Sequence, residues 1–100
     1  MNQHFDFTFL EESTEALRAI AHPLRLAIIQ LLHERESLNV TEIFEALEIQ
    51  QAVASHHLRI MKNQKIVSVK RDGQNSIYSL SAPEVYEILP ILKKLLSYPE

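Results

Sequence analysis

The 100-residue chain has no cysteine and a single glycine. Lack of cysteine removes disulfides, thiolate metal ligands, thiol redox sensing and cysteine nucleophiles together. One glycine leaves no glycine-rich phosphate loop, and with only four prolines the chain is neither a low-complexity linker nor collagen-like. No apolar run approaches the ~20 residues a membrane helix needs. Met1 to Phe9 carries no basic residue and no secretory pattern, so the expected compartment is the cytoplasm and no membrane partner is expected. What remains is 46% hydrophobic and 23% charged, the balance of one ordinary globular domain spanning residues 1–100. So short a chain buries a small core, and apolar contact with a partner would add to its stability.

The net charge of −3 is unevenly spread. Residues 1–48 hold three basic and nine acidic side chains, a balance of −6. Residues 49–71 hold Arg59, Lys62, Lys65, Lys70 and Arg71 and no acid, while residues 72–100 balance at −2. The total argues against a nucleic-acid partner and the local block argues for one. Binding responds to the field where the partner docks, so the block carries more weight. Taken alone, the block also fits a solvated helix face followed by a polar hairpin.

Local signals divide the chain. Thr8 and Glu11 have capping-box spacing, which predicts a helix over 9–21 with Leu10, Leu17, Ile20 and Ala21 on one stripe. Pro23 suits a first helical turn, so a second helix is expected over 23–35, with His22 as its cap and Leu24, Ile28, Leu31 and Leu32 inward. Asn39 and Glu42 repeat the capping spacing ahead of a short helix, 40–47. A turn at 48–50 leads to a longer helix, 51–64. β-Branched Ile66, Val67 and Val69 read as a strand, Asp72-Gly73 as a hairpin turn, and Ile77, Tyr78 and Leu80 as the returning strand. Ser81 and Glu84 are placed to cap a last helix, 82–97. The expected fold is mainly α with a small β-hairpin, in the order α-α-α-α-β-β-α: a winged helix-turn-helix, with the helix-turn-helix at 40–64 and the wing at 66–80.

On a helical wheel of residues 50–65, Ala54, His57, Leu58 and Met61 share one side. Gln51, Ala52, Ser55, His56, Arg59, Lys62 and Asn63 share the other, with Val53 and Ile60 on a flank. Small residues near the start allow close approach to a groove. Gln51 and His56 can bond to base edges, Arg59 and Lys62 can reach bases or phosphates, and Val53 can touch a thymine methyl. An ordinary amphipathic surface helix would show the same polar face; the short helix before it and the basic hairpin after it favour the groove reading.

The run Ala54-Ser55-His56-His57-Leu58-Arg59-Ile60-Met61-Lys62, followed by Ile66-Val67, resembles the recognition-helix signature of ArsR/SmtB-type bacterial transcriptional repressors, whose usual core is Val-Ser-His-His-Leu. Ala21-His22-Pro23-Leu24-Arg25-Leu26-Ala27-Ile28-Ile29 resembles the start of that family's second helix, where Pro-x-Arg is typical. The likeness runs from about Leu17 to Leu80. It implies a dimeric winged helix bound to double-stranded DNA at an inverted-repeat operator. The implied contacts come from Gln51, Ala52, Val53, Ser55, His56 and Arg59, with backbone contacts from a wing carrying Lys70, Arg71, Gln74 and Asn75. Ala52 and Val53 stand where the family commonly has hydroxyls, and Glu48 where glycine is common.

Family members often sense metals through a Cys-x-Cys-type motif on the short helix or Asp/His and His/Glu pairs on the last. Here the short helix reads Val40-Thr41-Glu42-Ile43-Phe44 and the last offers Glu84 and Glu87 without histidine, so no metal or other cofactor is expected. His57 is expected in the core, His56 at DNA, His33 on the surface and His4 in the N-terminal tail. No Ser/His/Asp set has a recognisable context, so no enzyme is expected. In the last helix Val85, Ile88, Leu89, Ile91, Leu92, Leu95 and Leu96 form a stripe wider than a small domain usually covers, with Pro90 bending the opposite side. The expected use is a two-fold interface built from Leu10 and Leu17 of the first helix with Val85, Ile88, Leu89, Leu92, Leu95 and Leu96 of the last; a broad internal contact is the other reading. The function expected is a homodimeric repressor released by an unidentified effector. Its rivals are a winged-helix protein-interaction module and a metal-responsive repressor with a non-standard His/Glu site.

Overall fold

A computed structural model describes residues 4–99. The elements are α1 (Phe7–Arg18), α2 (Pro23–Arg35), β1 (Ser37–Asn39), α3 (Val40–Leu47), α4 (Gln51–Asn63), β2 (Val67–Asp72), β3 (Asn75–Leu80), a 3₁₀ turn (Pro83–Glu87) and α5 (Ile88–Leu95). The core is made where α2, α3 and α4 meet the sheet. Ile28, Ile29 and Leu32 of α2, Ile43 of α3, Leu58 and Met61 of α4 and Val67 of β2 are fully enclosed there. Among the described residues no helix is long and apolar enough to cross a membrane.

Local chemistry sets most of the boundaries. The His22 Nδ1 accepts from the Leu24 amide at 3.0 Å and Pro23 occupies the first turn of α2, as expected. Asn39 and Glu42 close a reciprocal capping box at the start of α3, with bonds of 2.8 and 2.9 Å. β2 and β3 pair antiparallel from Val67↔Leu80 to Asp72↔Asn75. The loop residues are therefore Gly73 and Gln74, one position later than Asp72-Gly73. Gly73 has φ +65° and Gln74 does not lie in the left-handed region, the pattern of a type II′ turn.

Three expectations need correction. α1 begins at Phe7, because the Asp6 side chain takes the Phe9 amide at 3.1 Å, and it ends at Arg18 instead of residue 21. Asp6 precedes Thr8 and makes the cap first, so Thr8 lies inside the helix. The hairpin is part of a three-stranded sheet in the order β1-β3-β2, with Ser37↔Ser79 and Asn39↔Ile77 in register. Three residues are too few to show periodicity, and β1 exists because β3 offers it an edge. The last helix does not run from 82 to 97. Pro90 has no amide to donate to the Tyr86 carbonyl and its ring would crowd that oxygen, so an α-helix cannot pass through it from Ala82. The chain makes a 3₁₀ turn instead and starts α5 at Ile88, which puts Pro90 in the first turn. Ser81 does not cap: the residue before the turn is Ala82, without a side-chain bond.

α1 buries none of its residues. The molecule measures 49 × 33 × 21 Å, with a radius of gyration of 15.1 Å, against about 13 Å for a compact chain of 100 residues.

Candidate nucleic-acid interface

α4 stands on the core through Ala54, His57, Leu58 and Met61. The helical period then leaves Gln51, Ala52, His56, Arg59 and Lys62 exposed together on the far side, with Ser55 and Val53 half-buried at its margins. Gln50 precedes the helix without a side-chain cap, and the Val53 and Ala54 amides donate to its carbonyl at 3.1 Å, which leaves the Gln51 and Ala52 amides at the exposed start of α4. The chain reaches α4 through a tight turn at Glu48, which adopts the left-handed conformation (φ 55°, ψ 46°) and returns its amide to the carbonyls of Phe44 and Glu45. The hairpin presents Lys70, Arg71, Gln74 and Asn75, all exposed, with Asp72 between them. Its root is fixed by the Ser81 amide on the Ile66 carbonyl (3.0 Å) and by the paired hydroxyls of Ser68 and Ser81 (2.7 Å). The structure thus presents a polar, cationic helix face free of acids and a mostly basic ribbon.

His57, 6% exposed, lies beneath this face. Its Nδ1 accepts from the Arg25 Nε–H at 3.0 Å, which requires an imidazole with its proton on Nε2. Burial holds its pKa below the ordinary 6.5, and the adjacent His22, Arg25 and His56 push the same way. The His22 ring lies 4.3 Å from that of His57, and the His56 ring 5.1 Å. His33 is exposed and stacks on Tyr86 at 3.6 Å. His4 sits edge-on to Phe5 at 5.7 Å. Glu84 and Glu87 are exposed, and among the described residues no three His, Cys, Asp or Glu side chains converge on a metal position.

The apolar stripe of the chain's end is only partly covered. Val85, Ile88 and Leu89 are half-buried against the core, and Leu92 is half-buried beside them. Leu95 (74%) at the end of α5, Leu96 just beyond it, and Leu10 and Leu17 (54%) on α1 are exposed. Phe7 and Phe9 on α1 and Ile91 on α5 join this exposed set. Ile91 was visible on the wheel of the last helix. Phe7 would have been found by starting the first helix at Asp6. Arg25 could not be tied to His57 by any local signal, since the two are 32 residues apart.

A helix-turn-helix with an exposed basic second helix, followed by a basic hairpin wing, defines a winged helix-turn-helix DNA-binding protein. A sequence model described as bacterial regulatory protein, arsR family, matches residues 22–69. The transcriptional repressor PagR of Bacillus anthracis is 33% identical over 95% of this chain and 95% of its own. Its crystal structure superposes with a TM-score of 0.77, covering 87% of this chain and 99% of PagR. NolR from Sinorhizobium fredii, 28% identical, gives a TM-score of 0.81 over 99% of this chain and 97% of its own. The transcriptional activator HlyU of Vibrio cholerae is 33% identical over 79% of this chain and 72% of its own. The chain belongs to the ArsR family and is a DNA-binding transcriptional regulator.

Proposed function

We propose that the protein is a homodimeric repressor that reads an inverted-repeat operator through α4 and grips the flanking backbone with its wing. The observation that carries this reading is the segregation on α4: Gln51, Ala52, His56, Arg59 and Lys62 exposed, with Ala54, His57, Leu58 and Met61 buried opposite. Ala52 permits close approach, Gln51 and His56 face base edges, Val53 meets a thymine methyl, and Ser55, Arg59 and Lys62 bond to bases or phosphates. Lys70, Arg71, Gln74 and Asn75 lie along the adjoining backbone. PagR, which covers nearly the whole chain, is a repressor, and this supports repression over activation.

The dimer is inferred from the exposed apolar residues of α1 and α5. Phe9, Leu10, Leu17, Ile91, Leu95 and Leu96 are too many and too large for water unless a partner covers them. A second copy supplies the same surface by two-fold symmetry. The dimer then sets two α4 helices about one DNA turn apart, and an effector acts by changing that spacing. Residues 7–18 and 88–95 hold the pair, and 40–63 with 67–80 meet the operator.

The test uses a duplex recovered by selecting genomic fragments on the purified protein, with binding followed by fluorescence anisotropy. Ser55→Ala/Arg59→Ala should weaken operator binding at least tenfold while leaving the dimer intact; unchanged affinity would refute this face. A protein-interaction module predicts no salt-dependent binding to any such duplex. Leu17→Glu/Leu95→Glu should sediment as a monomer, and an unchanged dimer would place the interface elsewhere.

A further inference from the structure

Arg25 makes two hydrogen bonds that lead in different directions. Its Nη1 donates to the carbonyl of Arg18, the last residue of α1, at 3.1 Å. Its Nε donates to the Nδ1 of His57, in the middle of α4, at 3.0 Å. One planar guanidinium on the first turn of α2 therefore joins the end of the helix proposed to hold the dimer to the helix proposed to enter the groove. A fork is needed for this: two rigid donors at a fixed angle reach two acceptors at once, which a lysine ammonium on a flexible stem does not reproduce. α1 buries none of its own residues, so beside this bond its end is held through Ala19 and Ile20, which follow it into the core.

His57 is the other half of the link. It points inward while its neighbour His56 and, on either side, Ser55 and Arg59 define the margin and surface of the outward face. A rotation of α4 about its axis would pull the His57 imidazole from the Arg25 Nε and turn that outer face away together. We propose that Arg25 and His57 are positioning residues for DNA recognition: the Arg18 carbonyl–Arg25–His57 chain fixes the rotation of α4 relative to α1, and hence the register of both reading heads in the dimer. This rests on the reading of α4 as the DNA-contacting helix and adds residues that never touch DNA.

The link is proton-sensitive by construction. An arginine is always a donor, so the bond exists only while His57 Nδ1 is unprotonated. The groups that face His57 are His22, which caps α2, Arg25 from α2 and His56 from its own helix, all basic. No acid is among them to hold an imidazolium, so proton uptake by His57 replaces an accepted bond with two facing cations.

The two His57 variants that test this keep the core filled. His57→Leu removes the acceptor, and His57→Asn replaces Nδ1 by an amide oxygen that does not titrate. Arg25→Ala removes both donors. Binding to the selected operator duplex and to a scrambled duplex is measured by anisotropy at pH 7.5 and pH 5.5, with thermal unfolding and sedimentation as checks on fold and dimer. His57→Leu should lose about tenfold in operator affinity with less than twofold change on the scrambled duplex. His57→Asn should restore most of the loss and bind with a shallower pH dependence than the parent. The double variant Arg25→Ala/His57→Leu should be no weaker than Arg25→Ala alone, because the two act through one bond.

Parental operator affinity in His57→Leu, or additive losses in the double variant, would overturn the positioning role. A thermally unstable His57→Leu leaves the decision to His57→Asn, where a parental pH dependence overturns the proposal. Ser55→Ala/Arg59→Ala separates the two levels of argument. If that variant loses the operator and His57→Leu does not, the link alone fails. If it keeps the operator, the recognition face fails and the link falls with it.

Discussion

Glu48 occupies the reversal between α3 and α4 in a conformation that costs an L-residue with a Cβ roughly 1–2 kcal/mol. Glycine would remove that cost and give back part of it, about 0.5–1 kcal/mol, through the greater freedom of the unfolded chain. Glu48→Gly is therefore expected to raise stability by about 0.5–1 kcal/mol in urea unfolding, and to improve DNA binding by removing an acid beside the start of α4. An unchanged or lower midpoint would show that the carboxylate holds something in place. His57 makes a second prediction. Its folded pKa lies below the ordinary 6.5 because it is buried among basic groups, so between the two values only the unfolded chain takes up the proton. The stability tied to this group is complete above pH 6.5 and is lost as pH falls towards the folded value. Urea midpoints of the parent should drop more than those of His57→Asn between pH 7.5 and pH 5; equal drops would remove His57 as the cause. At this scale the sequence showed which side of α4 each residue takes, because helical period is local. It could not show that Arg25 reaches His57, because only tertiary packing brings residues 32 apart to 3.0 Å.

α3 has eight residues, too few to stay helical alone, so its ends and its one enclosed side chain, Ile43, decide whether it forms. The capping box supplies both bonds at its start. Asn39→Ala should cost about 1–2 kcal/mol, and Asn39→Asp much less, since aspartate keeps the acceptor. Urea unfolding of the two variants decides it: equal losses would mean that Asn39 matters through β1, whose last residue it also is. The difference between this helix and the last one explains what was readable. A capping box lies within four residues, so its spacing can be seen in sequence, although the same spacing at Thr8 and Ser81 makes no cap. The break before α5 depends on how Pro90 meets a carbonyl four residues earlier, and an apolar stripe continues unbroken through both conformations. β1 was hidden for the opposite reason: its pairing residues are Ile77 to Ser79, far along the chain. Apart from β1, the order of elements that positions α4 and the wing was legible, since each was marked by its own cap, turn or β-branched run.

At the scale of the whole molecule, the charge proposed to meet DNA and the remaining charge have opposite signs. A dimer would carry ten positive charges in its two 49–71 blocks and a balance of −16 elsewhere. If six phosphates are neutralised, log affinity should fall with log salt at a slope near −5. That attraction is blind to sequence, and it would coat any duplex if it acted over the whole surface. The acidic remainder would confine it: Glu11, Glu12 and Glu15 stand exposed along α1, so an approach that brings α4 and the wing forward would be favoured. Glu11→Lys/Glu12→Lys moves the chain from −3 to +1 without touching α4. Binding to a scrambled duplex should rise severalfold, operator binding should rise less, and the ratio between them should fall, most visibly at low salt where screening is weak. Both affinities are read by anisotropy across a salt series, with sedimentation checking that the altered α1 still supports the proposed dimer. If the ratio holds in a variant that remains dimeric, the acidic surface has no part in discrimination, and selectivity must come from the fit of the two α4 helices alone.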